Sequence, residues 1–233
     1  MTRETGGTMP HLLDTVVFEG ATSSNVIAER PGRGPSPRSV VVVTAHLDSI
    51  NIAGGPAAAA PGADDNGSGS AGLLTIAETL EHHVAEHDLR LILFGGEEQG
   101  LVGSLAYVAG LSTAERERIR GVVNMDMIAS LNAPQPTVLF EGASLSQHLI
   151  DELARAAATY TTLAVQTSLH PLNSDHVPFL EKGIPAVLTI EGADSTNANI
   201  HSARDTLDSI DYDLALEILR MNVAATARLL GSA

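Results

Sequence analysis

The chain has 233 residues, a formal net charge of −15 and no cysteine. That length can bury a sizeable core in one large domain or two small ones. The charge argues against nucleic acid or an anionic membrane as partner, and the missing thiols exclude disulfides, thiolate metal sites and cysteine nucleophiles.

The first fifteen residues, MTRETGGTMPHLLDT, hold no hydrophobic stretch of signal-peptide type. Localisation is therefore cytoplasmic if Met1 is the native start, and secreted or periplasmic if a leader was removed; residues 1–10 are expected to be disordered. VVFEG and NVIAERPG read as a hairpin at a sheet edge. SVVVVTAHLDS, from Ser39 to Ser49, is a β-branched run that reads as a central strand. NIAGGPAAAAPGA (Asn51 to Ala63) is low in complexity but too short for a domain boundary, and reads as a loop. From Leu73, apolar residues recur at Ile76, Ala77, Leu80 and Val84, which is one face of a helix. LRLILFGG, GVVNMDMIA, PTVLFEG and GIPAVLTIEG read as further strands. SLSQHLIDELARAAATY and DYDLALEILRMNVAATARLL read as helices, the second closing the chain. Strands alternating with helices imply an α/β sandwich around a mostly parallel sheet, a single domain over residues 1–233. Aromatics make up only 3% of the chain, so the core must be built from Val, Leu, Ile and Ala. No apolar run approaches the ~20 residues of a membrane span.

Two familiar chemistries fail on inspection. GSGSAG (Gly67 to Gly72) matches a dinucleotide-binding pattern, but its lead-in is PGADDN rather than a strand, and Asp64 and Asp65 would repel a phosphate there. No cofactor-binding loop is expected from it. No G-x-S-x-G elbow occurs, so a serine hydrolase has no nucleophile.

Acidic and histidine positions remain. His46 and Asp48 lie two apart near a strand end and share a side, a placement that lets the carboxylate hold the second ring nitrogen of a metal-bound histidine. Asp64 and Asp65 precede a helix, where acids are ordinary caps. Glu97 and Glu98 follow a strand in GGEEQG, where solvated loops are usual. Asp126 sits among apolar neighbours in NMDMIA, costly to bury unless paired or metal-bound. His201 lies in a polar loop before the last helix. His82, His83 and His87 suit a helix end, and His11, His148 and His170 have no partner pattern. His176, in NSDHVPFLEKGIP, opens a short capped helix that points polar groups toward the same side. Singly these positions are weak. In series, each stands at the end of a strand or the start of a helix, where open α/β sheets place their sites. Two histidines and three carboxylates without sulfur suit zinc.

With AHLDS, GADDNGSG, GGEEQG, NMDM and IHSARDT in this order, the sequence resembles the co-catalytic di-zinc aminopeptidases, relatives of glutamate carboxypeptidases and glutaminyl cyclases, over roughly Asn25 to Leu230. The resemblance implies a three-layer α/β/α sandwich with a mixed sheet. It implies two Zn2+ per chain, with Co2+ or Mn2+ as substitutes. His46 and Asp126 would then bind one zinc, Glu98 and His201 the other, and Asp64 would bridge them. Glu97 would be the general base and Asp48 would orient His46 in support of catalysis. The reaction implied is hydrolysis of the N-terminal bond of a peptide or of a small aminoacyl substrate, with no nucleic acid or membrane as partner. Oligomeric state is not implied. Alternatives on the same fold are a single-zinc glutaminyl cyclase, a carboxypeptidase or aminoacylase, and a metal-free binding module. Asn173 stands where many members have arginine and Ile200 where some have tyrosine, and both changes bear on substrate orientation.

Overall fold

A computed structural model describes residues 11–18 and 21–232. The expectation of disorder over residues 1–10 lies outside the described residues. Eight strands form one sheet: β1 (His11–Phe18), β2 (Ala21–Arg30), β3 (Val40–His46), β4 (Asp88–Phe94), β5 (Ile119–Met125), β6 (Thr137–Gly142), β7 (Ala164–Ser168) and β8 (Ala186–Glu191). Their spatial order is β1-β2-β4-β3-β5-β8-β6-β7. The central pairs β4–β3, β3–β5 and β5–β8 are parallel, as is β6–β7. The β1–β2 hairpin, β2–β4 and β6–β8 are antiparallel. The sheet is thus mixed with a parallel centre.

Every residue of β3 is buried, as expected of a parallel strand covered on both faces. Successive side chains enter opposite layers. Val41, Val43 and Ala45 meet α1 (Gly67–Thr79), α4 (Gln147–Tyr160) and α6 (Tyr212–Leu230). Val40 and Val42 meet α2 (Val102–Gly110) and α5 (Val177–Glu181). In α6 the buried residues Leu214, Ile218, Met221, Ala225 and Leu229 trace one stripe, and the Asp211 side chain caps its start by accepting the Leu214 amide. The α2–α5 layer gathers Phe94, Tyr107 and Phe179, three of the chain's seven aromatics, with ring centroids 5.8–6.3 Å apart. A short helix, α3 (Thr113–Arg118), starts on a Ser112–Glu115 capping box and leads into β5.

Parallel pairing brings the chemistry to one rim. His46, the last residue of β3, stands opposite Phe94, the last of β4, and Thr44 stands opposite Asn124 in β5. The segments leaving β3, β4, β5 and β8 therefore emerge together at the carboxyl edge. Asp126 lies one residue beyond β5 rather than within a strand. Helix α1 docks beneath that rim because its glycines let it approach. A Cβ on Gly69 would stand 2.5 Å from the Met125 carbonyl oxygen, and Asn66 caps the helix by accepting the Gly69 amide while donating to Met125.

Candidate metal centre

Two groups of ligand atoms meet at the rim. His46, Asp65 and Asp126 form one, and Asp65, Glu98 and His201 the other, each with its atoms within 4.8 Å of one another. His46 Nε2 lies 3.3 Å from Asp65 Oδ1 and 3.2 Å from Asp126 Oδ1. His201 Nε2 lies 3.1 Å from Asp65 Oδ2 and 3.0 Å from Glu98 Oε2. Asp65 thus turns one oxygen to each group.

Asp64, expected from the sequence to bridge, belongs to neither group. Its carboxylate points into the protein, where Oδ1 accepts the Ala129 amide (3.0 Å) and Oδ2 the Asn197 side-chain amide (3.0 Å). The physical reason is the turn into α1. Asn66, not an aspartate, is the helix cap. The buried Asp205 carboxylate takes the amides of Asp64 and Asp65 on its two oxygens (2.9 and 3.0 Å), pinning the turn so that only the second acid faces the rim.

The role of Asp48 also differs in detail. His46 Nδ1 donates to the Asp48 main-chain carbonyl at 3.1 Å, while the carboxylate is 3.7 Å away. A carbonyl can only accept, so Nδ1 carries the proton and Nε2 is the nitrogen turned to the acids. The carboxylate instead accepts three consecutive amides, from Gly96, Glu97 and Glu98, at 3.0–3.1 Å. It therefore holds the corner that carries both glutamates. Gly96 has φ +77°, a conformation that suits glycine in that corner.

Asp126 is aimed by a chain of donors that the sequence reading missed. Thr44 donates to Asn124, Asn124 to Ser174, and Ser174 to Asp126 Oδ2, each bond 2.7–2.8 Å, which turns Oδ1 toward His46. Asn124 and Asp126 are two apart in the sequence, the one signal that could have exposed this link. Two further buried groups flank it. Burial pushes the Asp175 carboxyl up to about 7, opposed by the His46 charge and the Ser104 hydroxyl. His176, singled out from the sequence, sits just before α5 with both ring nitrogens buried and unpartnered; burial holds it neutral, down at about 3, and Glu141 Oε1 is 3.9 Å away.

The centre is crowded with negative charge. Burial first, then the Asp126 charge, lift Glu97 to about 9. Burial and the Asp65 charge lift Glu98 to about 7, and Glu98 Oε1 is buried without a hydrogen-bond partner. Burial also works against Asp65, but His201 and His46 hold it down at about 2. His46 stays well above the ordinary imidazole range although burial opposes its charge, because Asp126, Asp48 and Asp65 surround it. Acids outnumber counter-ions here, and a nitrogen–oxygen donor set of this kind suits a divalent cation.

Beside the centre, Glu191 is fully buried, accepts the Ser130 amide and the Asn132 side chain, and faces Asp64. Burial and the Asp64 charge raise it from 4.5 to about 9, so Glu191 carries the proton between the two. The folded state keeps this proton after the unfolded chain has lost it. Stability from the pair is thus fully present below about 4.5 and drains as pH rises through about 9. Glu191→Gln cannot ionise and still offers a donor to Asp64. Its denaturant midpoint should fall less than that of the wild type between about pH 5 and about pH 9. Parallel slopes for the two proteins would show that Glu191 is already ionised at neutral pH.

Comparison with known proteins is consistent with this geometry. Aminopeptidase YwaD of Bacillus subtilis is 31% identical over 199 residues, which is 84% of this chain and 42% of that protein. Leupeptin-inactivating enzyme 1 of Streptomyces exfoliatus is 36% identical over 190 residues, 79% of this chain and 39% of its own length. The chain thus spans about two fifths of the length of these two curated relatives. The structure of a zinc aminopeptidase from Bacillus subtilis superposes with a TM-score of 0.80 at 29% identity, over 89% of this chain and 50% of that one. The three-layer α/β/α architecture is therefore shared with it. A model of peptidase family M28 matches residues 25–226, most of the sequence, and the chain belongs to that family.

Proposed function

We propose that this chain is a di-zinc aminopeptidase domain that hydrolyses the N-terminal bond of peptides or aminoacyl amides. The observation that carries the reading is Asp65, one oxygen of which faces His46 and Asp126 while the other faces His201 and Glu98. His46, Asp65 and Asp126 would hold one cation and Asp65, Glu98 and His201 a second, with Co2+ or Mn2+ as possible substitutes for Zn2+. When bound, such ions lower the pKa of a water and polarise a carbonyl oxygen. Glu97 belongs to neither group, and so its carboxylate is free to take a proton from the attacking water and return it to the leaving amine nitrogen. Asp48, by holding the amides of Gly96 to Glu98, fixes where that carboxylate stands. Membership of peptidase family M28 and the names of the aminopeptidase relatives support the same reaction.

The test is metal content per chain, measured alongside hydrolysis of a panel of aminoacyl chromogenic amides with and without chelator. Two metals with chelator-sensitive release from unblocked substrates are expected. One metal with cyclisation of N-terminal glutamine would replace the reading with a glutaminyl cyclase. Release from N-acylated or C-terminal residues alone would replace it with an aminoacylase or carboxypeptidase.

A further inference from the structure

Of the five proposed ligands, only His201 has a left-handed main chain (φ +53°). A non-glycine residue in that region is held by its surroundings rather than by its own preference. One flank of its segment is tied down by Asp205, through the amides of Asp64 and Asp65 and through its carbonyl, which accepts the Ala63 amide. Among the described residues, the bond that reaches the main chain of His201 itself from another segment is Ile52 N–H to the His201 carbonyl, 3.1 Å.

Ile52 lies in the Ala/Gly/Pro-rich loop after β3 and is 68% exposed, so apolar packing does little to hold it. The order of this loop comes from Asn51. Its side-chain amide donates to the Ala59 carbonyl, its side-chain oxygen accepts the Gly54 amide (both 2.8 Å), and its main-chain carbonyl accepts the Gly55 amide (2.9 Å). The closure is tight, for a Cβ on Gly54 would lie 2.4 Å from the Ala58 Cβ. A stretch that composition alone marks as filler is stitched from end to end, and its outward bond lands on the most strained of the proposed ligands.

We propose that the Asn51–Ala59 loop is a positioning element for His201. The Ile52 amide holds the left-handed turn that aims the imidazole at Asp65 and Glu98. The loop thereby sets the affinity of the Asp65–Glu98–His201 group for its cation and leaves the His46–Asp65–Asp126 group unaffected. This rests on the two-cation reading above.

Ile52→Pro tests it by removing the Ile52 N–H, the ring Cδ taking the place of the hydrogen that reaches the His201 carbonyl. Ile52→Ala is the conservative variant that restores the N–H and removes only an exposed side chain. Metal-free protein is titrated with Co2+, followed by visible absorption, and with Zn2+ in a calorimeter. In Ile52→Pro one of two sites should weaken about 10–100-fold, the range for loss of a group that orients a ligand. The other site and the melting temperature of the metal-free protein should stay as in the wild type, and Ile52→Ala should recover both affinities. Asn51→Ala, which keeps the N–H but dissolves the stitching, should weaken the same site. Two wild-type affinities in Ile52→Pro would overturn the proposal. So would parallel weakening of both sites with a lowered metal-free melting temperature, which would mark general damage. A wild-type protein that binds fewer than two cations would instead overturn the two-cation reading, and the proposal with it.

Discussion

Asp65→Ala is expected to bind neither zinc ion, whereas its neighbour variant Asp64→Ala is expected to bind both. The two residues are adjacent and of the same type, so residue identity cannot separate them; direction can. Asp65 is the member common to both ligand groups, with one oxygen 3.3 Å from His46 and the other 3.1 Å from His201. Its removal deprives each site of a carboxylate at once. The loss of affinity should exceed the ~100-fold that marks the upper end for a merely supporting residue. The stabilisation that bound metal confers, about 2.7 kcal/mol at a hundred times Kd, should vanish with it. The variant should therefore melt at the same temperature with and without chelator. Asp64→Ala should behave oppositely. It strands the Ala129 amide without its acceptor, at about 1–3 kcal/mol for a buried group left unsatisfied, and leaves the Asn197 side chain only its bond to Glu191. It should melt early yet still respond to chelator. Metal analysis of the two desalted variants decides between them, and two zinc ions retained by Asp65→Ala would show that the bridge lies elsewhere.

That pair also marks where reading from the sequence stops. The strands of the parallel centre are legible because both their faces are buried: VVVVTAH and AVLTIE are apolar runs with no alternative use. The edge strand β7 is not, since its middle residues face solvent and AVQTS shows no alternation. Helix α3 is announced by Ser112 and Glu115, a capping box too brief to stand out from the loops around it. At the site, residue type and order point to the rim, for Asp126 is expensive anywhere except beside a cation or a partner. Choosing between Asp64 and Asp65 depends on facts that are not local. Asp205 lies 140 residues beyond Asp65 and sets the turn through two backbone amides. The two consequences of Asp48 are likewise split by folding: its carbonyl orients His46 and its carboxylate builds the Glu97–Glu98 corner, a division that no spacing rule contains.

Glu97→Gln should keep the fold and both metal sites while losing most of the turnover. Glutamine has the size of glutamate and leaves the backbone bonds from residues 96–98 to Asp48 in place, so the corner and the neighbouring Glu98 ligand should not move. What disappears is a carboxylate that can accept and return a proton, a role worth about 10²–10⁴ in rate. The loss should fall on kcat, with KM and metal content near those of the wild type, because Glu97 stands outside both ligand groups. In the metal-free site its carboxyl is lifted to about 9 by burial and the Asp126 charge. A base must be ionised, so the same surroundings that crowd Glu97 require cationic charge at Asp65 before it can serve. On the proposed reading adjacent glutamates would do unlike work: Glu98 would contribute charge to a ligand group, and Glu97 would respond to what that group holds. Turnover by Glu97→Gln within about fivefold of the wild type, at full metal content, would remove Glu97 from the mechanism, since a general base contributes at least ~10².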